Sequence, residues 1–222
     1  MDAAAVERVR SRVRADAEVG AVLDRRIPEL VAYQSARYAR AYADFVEKVR
    51  QGEDEAVPGS TQLTEAVARN LYKLMAYKDE YEVARLALDP AMDERLAAQF
   101  GPGSRASYRL HPPVLRALGM RDKIELGPWF KPAFAALYRM RRVRGTRLDP
   151  FGYAGVRRVE RELVREYRGV IEDILRRLDT TSLPLAVEIA ELPDVVRGYE
   201  HVKLAGVEEY RRRLAELVSR LP

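Results

Sequence analysis

Apolar residues recur every three or four positions from Leu63 to Met75, which predicts an amphipathic helix. Its apolar face consists of Leu63, Val67, Leu71, Leu74 and Met75. When the same helix is continued at about 100° per residue, that face reaches Lys78, Glu82 and Arg85, which are charged. Either these three ionisable side chains project into a packed interface, or the helix stops or turns near Tyr77.

The same periodicity predicts helices along most of the chain. A long apolar stripe runs from Val156 to Leu178, and the last one runs from Val207 to Leu221. The least helical stretch contains Tyr108-Arg109-Leu110 and Lys123-Ile124-Glu125-Leu126, which are typical of two short strands. We therefore expect a mainly α fold of roughly seven helices, with a small β-hairpin insertion around residues 106–126.

Only one segment is a clear candidate for disorder. Residues 51–60 (QGEDEAVPGS) are polar and contain Pro and Gly, which predicts a flexible loop. Thr61 or Thr64 can cap the helix that follows. A chain of this length can form one large domain or two small ones. Because no repeat or compositional break divides it, we expect a single helical domain over residues 1–222.

Four segments, taken together, carry a family resemblance. In chain order they are Leu30–Tyr42 (LVAYQSARYARAY), Asn70–Leu86 (NLYKLMAYKDEYEVARL), Gly127–Tyr153 (GPWFKPAFAALYRMRRVRGTRLDPFGY) and Leu185–Val207 (LAVEIAELPDVVRGYEHVKLAGV). They resemble the C-terminal helical domain of the large fused indolepyruvate:ferredoxin oxidoreductases. None is a catalytic signature, so the resemblance rests on four matches in the same order.

The enzymes of that family oxidise aryl or branched 2-oxoacids with coenzyme A. They use thiamine diphosphate and pass electrons through iron–sulfur clusters to ferredoxin. The resemblance implies that this chain is an accessory C-terminal domain or subunit that packs against other domains or subunits and shapes substrate access. It implies no catalytic, cofactor-binding or metal-binding residue in this chain, and contact with ferredoxin only through the parent enzyme.

Composition limits the chemistry of the chain itself. The 222 residues carry a formal net charge of +5 and include no cysteine, so disulfides, thiolate nucleophiles and cysteine-ligated clusters are excluded. The common nucleotide-binding, serine-hydrolase and zinc-protease motifs are absent, as is the GDG-type motif for metal-bound thiamine diphosphate. No apolar run reaches membrane-spanning length and no secretory leader is evident, so we expect a cytoplasmic protein without a membrane partner.

The charged continuation of the first helix is the leading candidate for a polar site. Lys78, Glu82 and Arg85 are spaced four and three residues apart, so they can bridge on one helix face. We expect them to lie close together, to form at least one ion pair, and to meet substrate or a neighbouring domain. In the alternative, the apolar face rotates after Tyr77 and leaves the charges solvated; its new members are then Tyr81, Ala84 and Leu88.

A basic cluster follows the helix that begins near Pro128. It consists of Arg139, Arg141, Arg142, Arg144 and Arg147. Such a run can bind nucleic acid, and a free-standing nucleic-acid- or protein-binding module is the alternative function. Acidic residues flank the run and no DNA- or RNA-binding signature is present. We therefore favour a protein-facing patch that uses Arg141, Arg142 and Arg144, and we expect no nucleic-acid partner.

The remaining candidates are single residues. We expect Trp129 to act as a hydrophobic anchor, and Asp149 to form a structural turn with the proline after it. Lys203 lies near the apolar stripe of its helix, so either its stem covers apolar surface or its ammonium meets a carboxylate at an interface. The two histidines, His111 and His201, have no metal-site spacing. A free-standing enzyme would have to draw on Lys78, Glu82, Arg85 and Asp149.

Overall fold

The computed structural model describes residues 2–101, 107–110, 124–198 and 200–221. Ten α-helices form within these ranges, which confirms the mainly α class. They are α1 (Ala3–Arg10), α2 (Ala17–Tyr33), α3 (Ala36–Ala56), α4 (Gln62–Met75), α5 (Glu80–Ala87), α6 (Pro90–Phe100), α7 (Lys131–Arg139), α8 (Gly155–Leu175), α9 (Leu183–Glu191) and α10 (Glu200–Val218). Three short 3-10 turns accompany them at Pro128–Phe130, Met140–Val143 and Leu192–Val195. Among these described helices, none is both long and apolar enough to cross a membrane.

Two short strands lie between α6 and α7. Strand β1 (Tyr108–Leu110) pairs antiparallel with β2 (Ile124–Leu126), and Tyr108 stands opposite Leu126. The sequence predicts a hairpin over residues 106–126. The residues that would connect its strands, His111 among them, lie outside the described residues. The hairpin insertion as a whole therefore stays a prediction.

The chain divides into two compact units. Unit 1 contains Met1–Ala76 and Val159–Pro222, and unit 2 contains Tyr77–Arg158. One boundary falls at the end of α4 and the other falls inside α8. No Pro/Gly-rich or polar linker marks either point in the sequence. The sequence therefore predicts a single domain where the structure has two compact units.

Unit 1 is built on apolar helix stripes and on tyrosines that cross between helices. Tyr42 and Tyr167 are both buried. Their hydroxyls each donate a 2.8 Å hydrogen bond, to the carbonyl oxygens of Ala68 and Ala190. Burial raises the pKa of both phenols well above its ordinary value, so the hydroxyls keep their protons and serve as donors. The aromatic rings fill the core while each hydroxyl has a hydrogen-bond partner.

A buried carboxylate holds the start of α4. Glu53 is fully buried. It accepts from the backbone N–H groups of Leu63 and Thr64 at 3.0 and 2.8 Å. It also accepts from the hydroxyls of Ser60 and Thr64 at 2.7 and 2.6 Å. These N–H groups open a helix and have no partner within it, and a negative charge is favoured there.

This arrangement corrects the loop predicted over residues 51–60. Residues 51–56 are the last turns of α3, which ends at Ala56. The polar composition is explained by Glu53, whose carboxylate is needed inside the fold. Thr61 stands at the N-cap position of α4 without a side-chain cap bond, because Glu53 already supplies the acceptor.

The described residues of unit 2 include an apolar cluster of their own. It centres on Ala84 and Ala87 of α5 and on Phe134 of α7, all buried. Phe130 packs edge-on against Phe134, with ring centroids 4.9 Å apart.

We expect Glu53→Ala to lower the free energy of unfolding by about 2–4 kcal/mol, because several buried donors lose their acceptor. Glu55→Ala is the matched control, since Glu55 lies in the same helix and is exposed. Urea denaturation midpoints followed by circular dichroism would check both variants. Equal midpoints for the two would show that Glu53 is not the cap described above.

Candidate functional site

The helix predicted through Lys78, Glu82 and Arg85 is broken. α4 ends at Met75, and α5 begins at Glu80. Asp79 caps α5, because its Oδ1 accepts the backbone N–H of Glu82 at 2.9 Å. Lys78 lies in the break and is exposed. The prediction of one continuous charged face is therefore wrong, and the alternative of a turn near Tyr77 is confirmed.

Because the helix is interrupted, α5 has a buried face of its own, which does not continue the apolar stripe of α4. On α5 the buried positions are Tyr81, Ala84 and Ala87. Glu82 and Arg85 fall beside that face and form the predicted ion pair. Arg85 donates from Nη2 and Nε to the two carboxylate oxygens of Glu82 at 2.6 and 2.9 Å. Their side chains are 29% and 14% exposed, so this pair stands at the rim of unit 2.

A different, deeper ion pair organises the region. Arg144 donates from Nε and Nη2 to the carboxylate of Asp79 at 2.6 and 2.8 Å. Both side chains are only 3% exposed. The geometry is bidentate, which is the strongest arrangement of these two groups. Asp79 therefore caps α5 and neutralises a buried cation at the same time.

The placement of Arg144 corrects its predicted role. The sequence predicts a protein-facing patch of Arg141, Arg142 and Arg144, but Arg144 points into unit 2. Arg141 lies over the ring of Tyr138, with its guanidinium carbon 4.0 Å from the ring centroid. Only Arg142 of the three is exposed.

Asp149 forms the structural turn that the sequence predicts. Its Oδ1 accepts the hydroxyl of Tyr81 at 2.9 Å and the backbone N–H of Phe151 at 3.1 Å. Its Oδ2 accepts the backbone N–H of Gly145 at 2.7 Å. A Cβ at Gly152 would stand 2.8 Å from Oδ2, so glycine is required there.

Tyr81 joins the two acidic residues. Its ring lies 5.3 Å from the guanidinium carbon of Arg144, and its hydroxyl donates to Asp149. Burial, followed by the contact with the Asp149 carboxylate, raises the pKa of the Tyr81 phenol well above its ordinary value. Asp79, Tyr81, Arg144 and Asp149 thus form one buried assembly, which we call the Asp79–Asp149 network.

The chemistry of this network is structural. Each of its charged groups is paired and hydrogen-bonded, and each member is buried. A general acid or base needs a proton that a substrate can reach, and these groups are closed off from solvent. The network fixes the start of α5, the residue after the 3-10 turn Met140–Val143, and the turn that begins at Asp149.

The edge of the network holds one further acid, which is partly buried. Glu80 pairs with Arg157, with Nη2 3.3 Å from Oε2. Burial raises the pKa of Glu80, and the nearby Arg157 opposes that shift. Arg157 also donates to the carbonyl oxygen of Lys78 at 3.2 Å, which holds the backbone just before α5.

The other predicted residues are spread over the chain. Trp129 is 71% exposed and packs edge-on against Phe130, with ring centroids 5.4 Å apart, so it lies at the surface and its role as a hydrophobic anchor stays a prediction. Lys203 forms an ion pair with Glu160, a buried residue of α8, so the predicted carboxylate lies within this chain. His111 falls outside the described residues, and the description does not extend to the His201 side chain. Within the described residues, no group of three or more His, Asp or Glu side chains is arranged to hold a metal.

Sequence reasoning missed Asp79, which the structure places at the centre. Its local signal is Asp-Glu-Tyr-Glu, an N-cap residue followed by acidic residues in a first helical turn. Its second role has no local signal, because Arg144 lies 65 residues away.

The model of a protein family described as a family of unknown function, DUF6537, matches residues 19–216. The chain belongs to this family. Comparisons of the DUF6537 chain with curated proteins and with solved structures give no match. The matched range contains the whole Asp79–Asp149 network, so the network is part of the DUF6537 region.

We expect Arg144→Ala to lower the free energy of unfolding by about 3–5 kcal/mol, because it leaves the Asp79 carboxylate buried and unpaired. Arg142→Ala removes the same side chain two positions away from an exposed site, and we expect a change within about 0.5 kcal/mol. Guanidinium chloride midpoints would check both changes. A cost for Arg144→Ala no larger than that for Arg142→Ala would contradict the placement of this ion pair.

Proposed function

We propose that this DUF6537 chain is an accessory domain or subunit of a thiamine-diphosphate-dependent indolepyruvate or other 2-oxoacid:ferredoxin oxidoreductase. In this proposal it packs against other domains or subunits, shapes substrate access, and leaves the redox chemistry to them. The four segments that resemble that family, in the same order, support the proposal. Thiamine diphosphate, iron–sulfur clusters and coenzyme A would be bound elsewhere in the parent enzyme.

The observation that carries most weight is how those four segments use their polar side chains. They join the segments to one another within each compact unit. The contacts are Tyr38 to Met75 and Lys73 to Asp194 in unit 1, and Asp79 to Arg144 and Tyr81 to Asp149 in unit 2. Residues of a catalytic site would have to converge on a reacting group, whereas these converge on each other. This pattern favours a supporting domain over an enzyme.

The exposed residues of the third segment favour a contact role. Trp129, Leu148 and Tyr153 are 71%, 79% and 67% exposed. Aromatic side chains, methionine and arginine are enriched at protein interfaces. The arginines of this segment are less suited to the alternative, a nucleic-acid-binding module, because Arg144 is buried and Arg141 is held against Tyr138.

The direct test is association. The chain would be co-expressed with the thiamine-diphosphate and iron–sulfur parts of a 2-oxoacid:ferredoxin oxidoreductase from the same genome. We expect stoichiometric co-purification, and a loss of 2-oxoacid oxidation or of assembly when the chain is left out. The tag alone is the control for retention.

The isolated chain supplies the complementary measurement. We expect no stoichiometric iron–sulfur absorption band and no thiamine diphosphate binding at micromolar affinity. An iron–sulfur band, thiamine diphosphate binding, or an oxidoreductase that assembles and turns over equally well without the chain would each refute the proposal.

A further inference from the structure

The stretch of unit 2 from Arg139 to Tyr153 contains both exposed arginines and exposed apolar side chains. Leu148 is 79% exposed, Tyr153 is 67% exposed and Met140 is 43% exposed. The arginines within the same stretch that reach solvent are Arg139, Arg142 and Arg147. We call these six residues the basic loop surface.

The backbone beneath this surface is held in one conformation. Tyr153 donates from its hydroxyl to the carbonyl oxygen of Arg147 at 2.7 Å. Thr146 donates from its hydroxyl to the carbonyl oxygen of Val143 at 2.7 Å, and its Oγ1 accepts the backbone N–H of Leu148 at 3.2 Å. Asp149, the residue after Leu148, is held within the Asp79–Asp149 network. A surface that is ordered before binding loses less entropy when it binds.

The charge of this surface is not compensated locally. Asp149 is the only acidic residue between Arg139 and Tyr153, and it is buried within the Asp79–Asp149 network. Within the described part of the chain, the three exposed arginines have no ion-pair partner. A partner with carboxylates at its rim would supply the missing charge and would steer association.

We propose that the basic loop surface docks an acidic protein surface on another domain or subunit of the parent enzyme, with Leu148 inserted at the centre. This inference rests on the proposed function. An apolar centre with a charged rim is the usual anatomy of a protein interface. A nucleic acid would engage the arginines through phosphate, but it would leave the aliphatic Leu148 and Met140 without a matching partner.

Two variants test the centre and the rim separately. Leu148→Ser removes the apolar centre, and we expect it to weaken association at least about fivefold with an unchanged dependence on NaCl. The triple variant Arg139→Gln, Arg142→Gln, Arg147→Gln should weaken association and also flatten its dependence on NaCl. The measurement is a titration of the full chain against the purified remainder of the oxidoreductase at several NaCl concentrations.

The matched control removes the same charge from unit 1. Arg8, Arg37 and Arg40 are exposed, and the variant with all three changed to Gln should bind as the wild type does. Circular dichroism and urea midpoints should be unchanged in every variant, because the substituted side chains are exposed.

The outcomes separate the inference from the proposed function. If the chain associates but neither variant weakens association, the docking surface is wrong and the proposed function stands. If the wild type does not associate at all, both are overturned. If duplex DNA or single-stranded RNA binds tightly at physiological salt, and the arginine variant alone abolishes that binding, the surface serves nucleic acid and the protein-docking inference is refuted.

Discussion

The buried ion pair between Asp79 and Arg144 is the constraint on which the organisation of unit 2 depends. Taking two charges out of water costs several kcal/mol for each ion, and the cost is offset only when the geometry is good and the remaining polar atoms are bonded. Both conditions hold, because the pair is bidentate and Asp79 also accepts from the first turn of α5. The positions of α5 and of the segment around Arg144 are therefore coupled.

The same device appears in unit 1 with a different residue. Glu53 is buried without any exposure, and its carboxylate is satisfied by two N–H groups and two hydroxyls at the start of α4. Each of these helices thus begins on a carboxylate that belongs to a buried polar assembly. A partly satisfied assembly of this kind would be worse than an apolar one, so each specifies one arrangement of its neighbours.

Sequence reasoning recovered what depends on local periodicity. The stripes from Val156 to Leu178 and from Val207 to Leu221 fall largely within helices α8 and α10, although α10 already begins at Glu200 and ends at Val218. The sequence does not decide whether the helix breaks after Met75, because a regular spacing of three and four residues continues from Met75 to Arg85. Leu74 and Tyr81 are both buried, although the helix does not run between them.

The burial of residues that pair with distant partners could not be predicted from the sequence. Arg142 and Arg144 have the same side chain and lie two positions apart in one basic run, yet one is exposed and the other is 3% exposed. The difference is made by Asp79, 65 residues earlier. The sequence predicts Glu53 in a loop for the same reason, since the polar residues around it indicate a solvated segment unless the N–H groups of Leu63 and Thr64 are known to face its carboxylate.

The two classes of arginine in unit 2 have separable consequences. Substitution of a buried, paired arginine leaves its carboxylate partner buried and unpaired, which lowers the free energy of unfolding. An exposed arginine contributes little to stability, so it is free to act on association rate and salt dependence. Asp149, in the same buried network as Arg144, accepts backbone N–H groups on either side of the turn that carries Arg147 and Leu148. These two side chains are exposed. The buried network therefore holds the backbone from which they project, so a substitution inside the network acts on stability and on this surface together, whereas a substitution of the exposed side chains leaves stability unchanged.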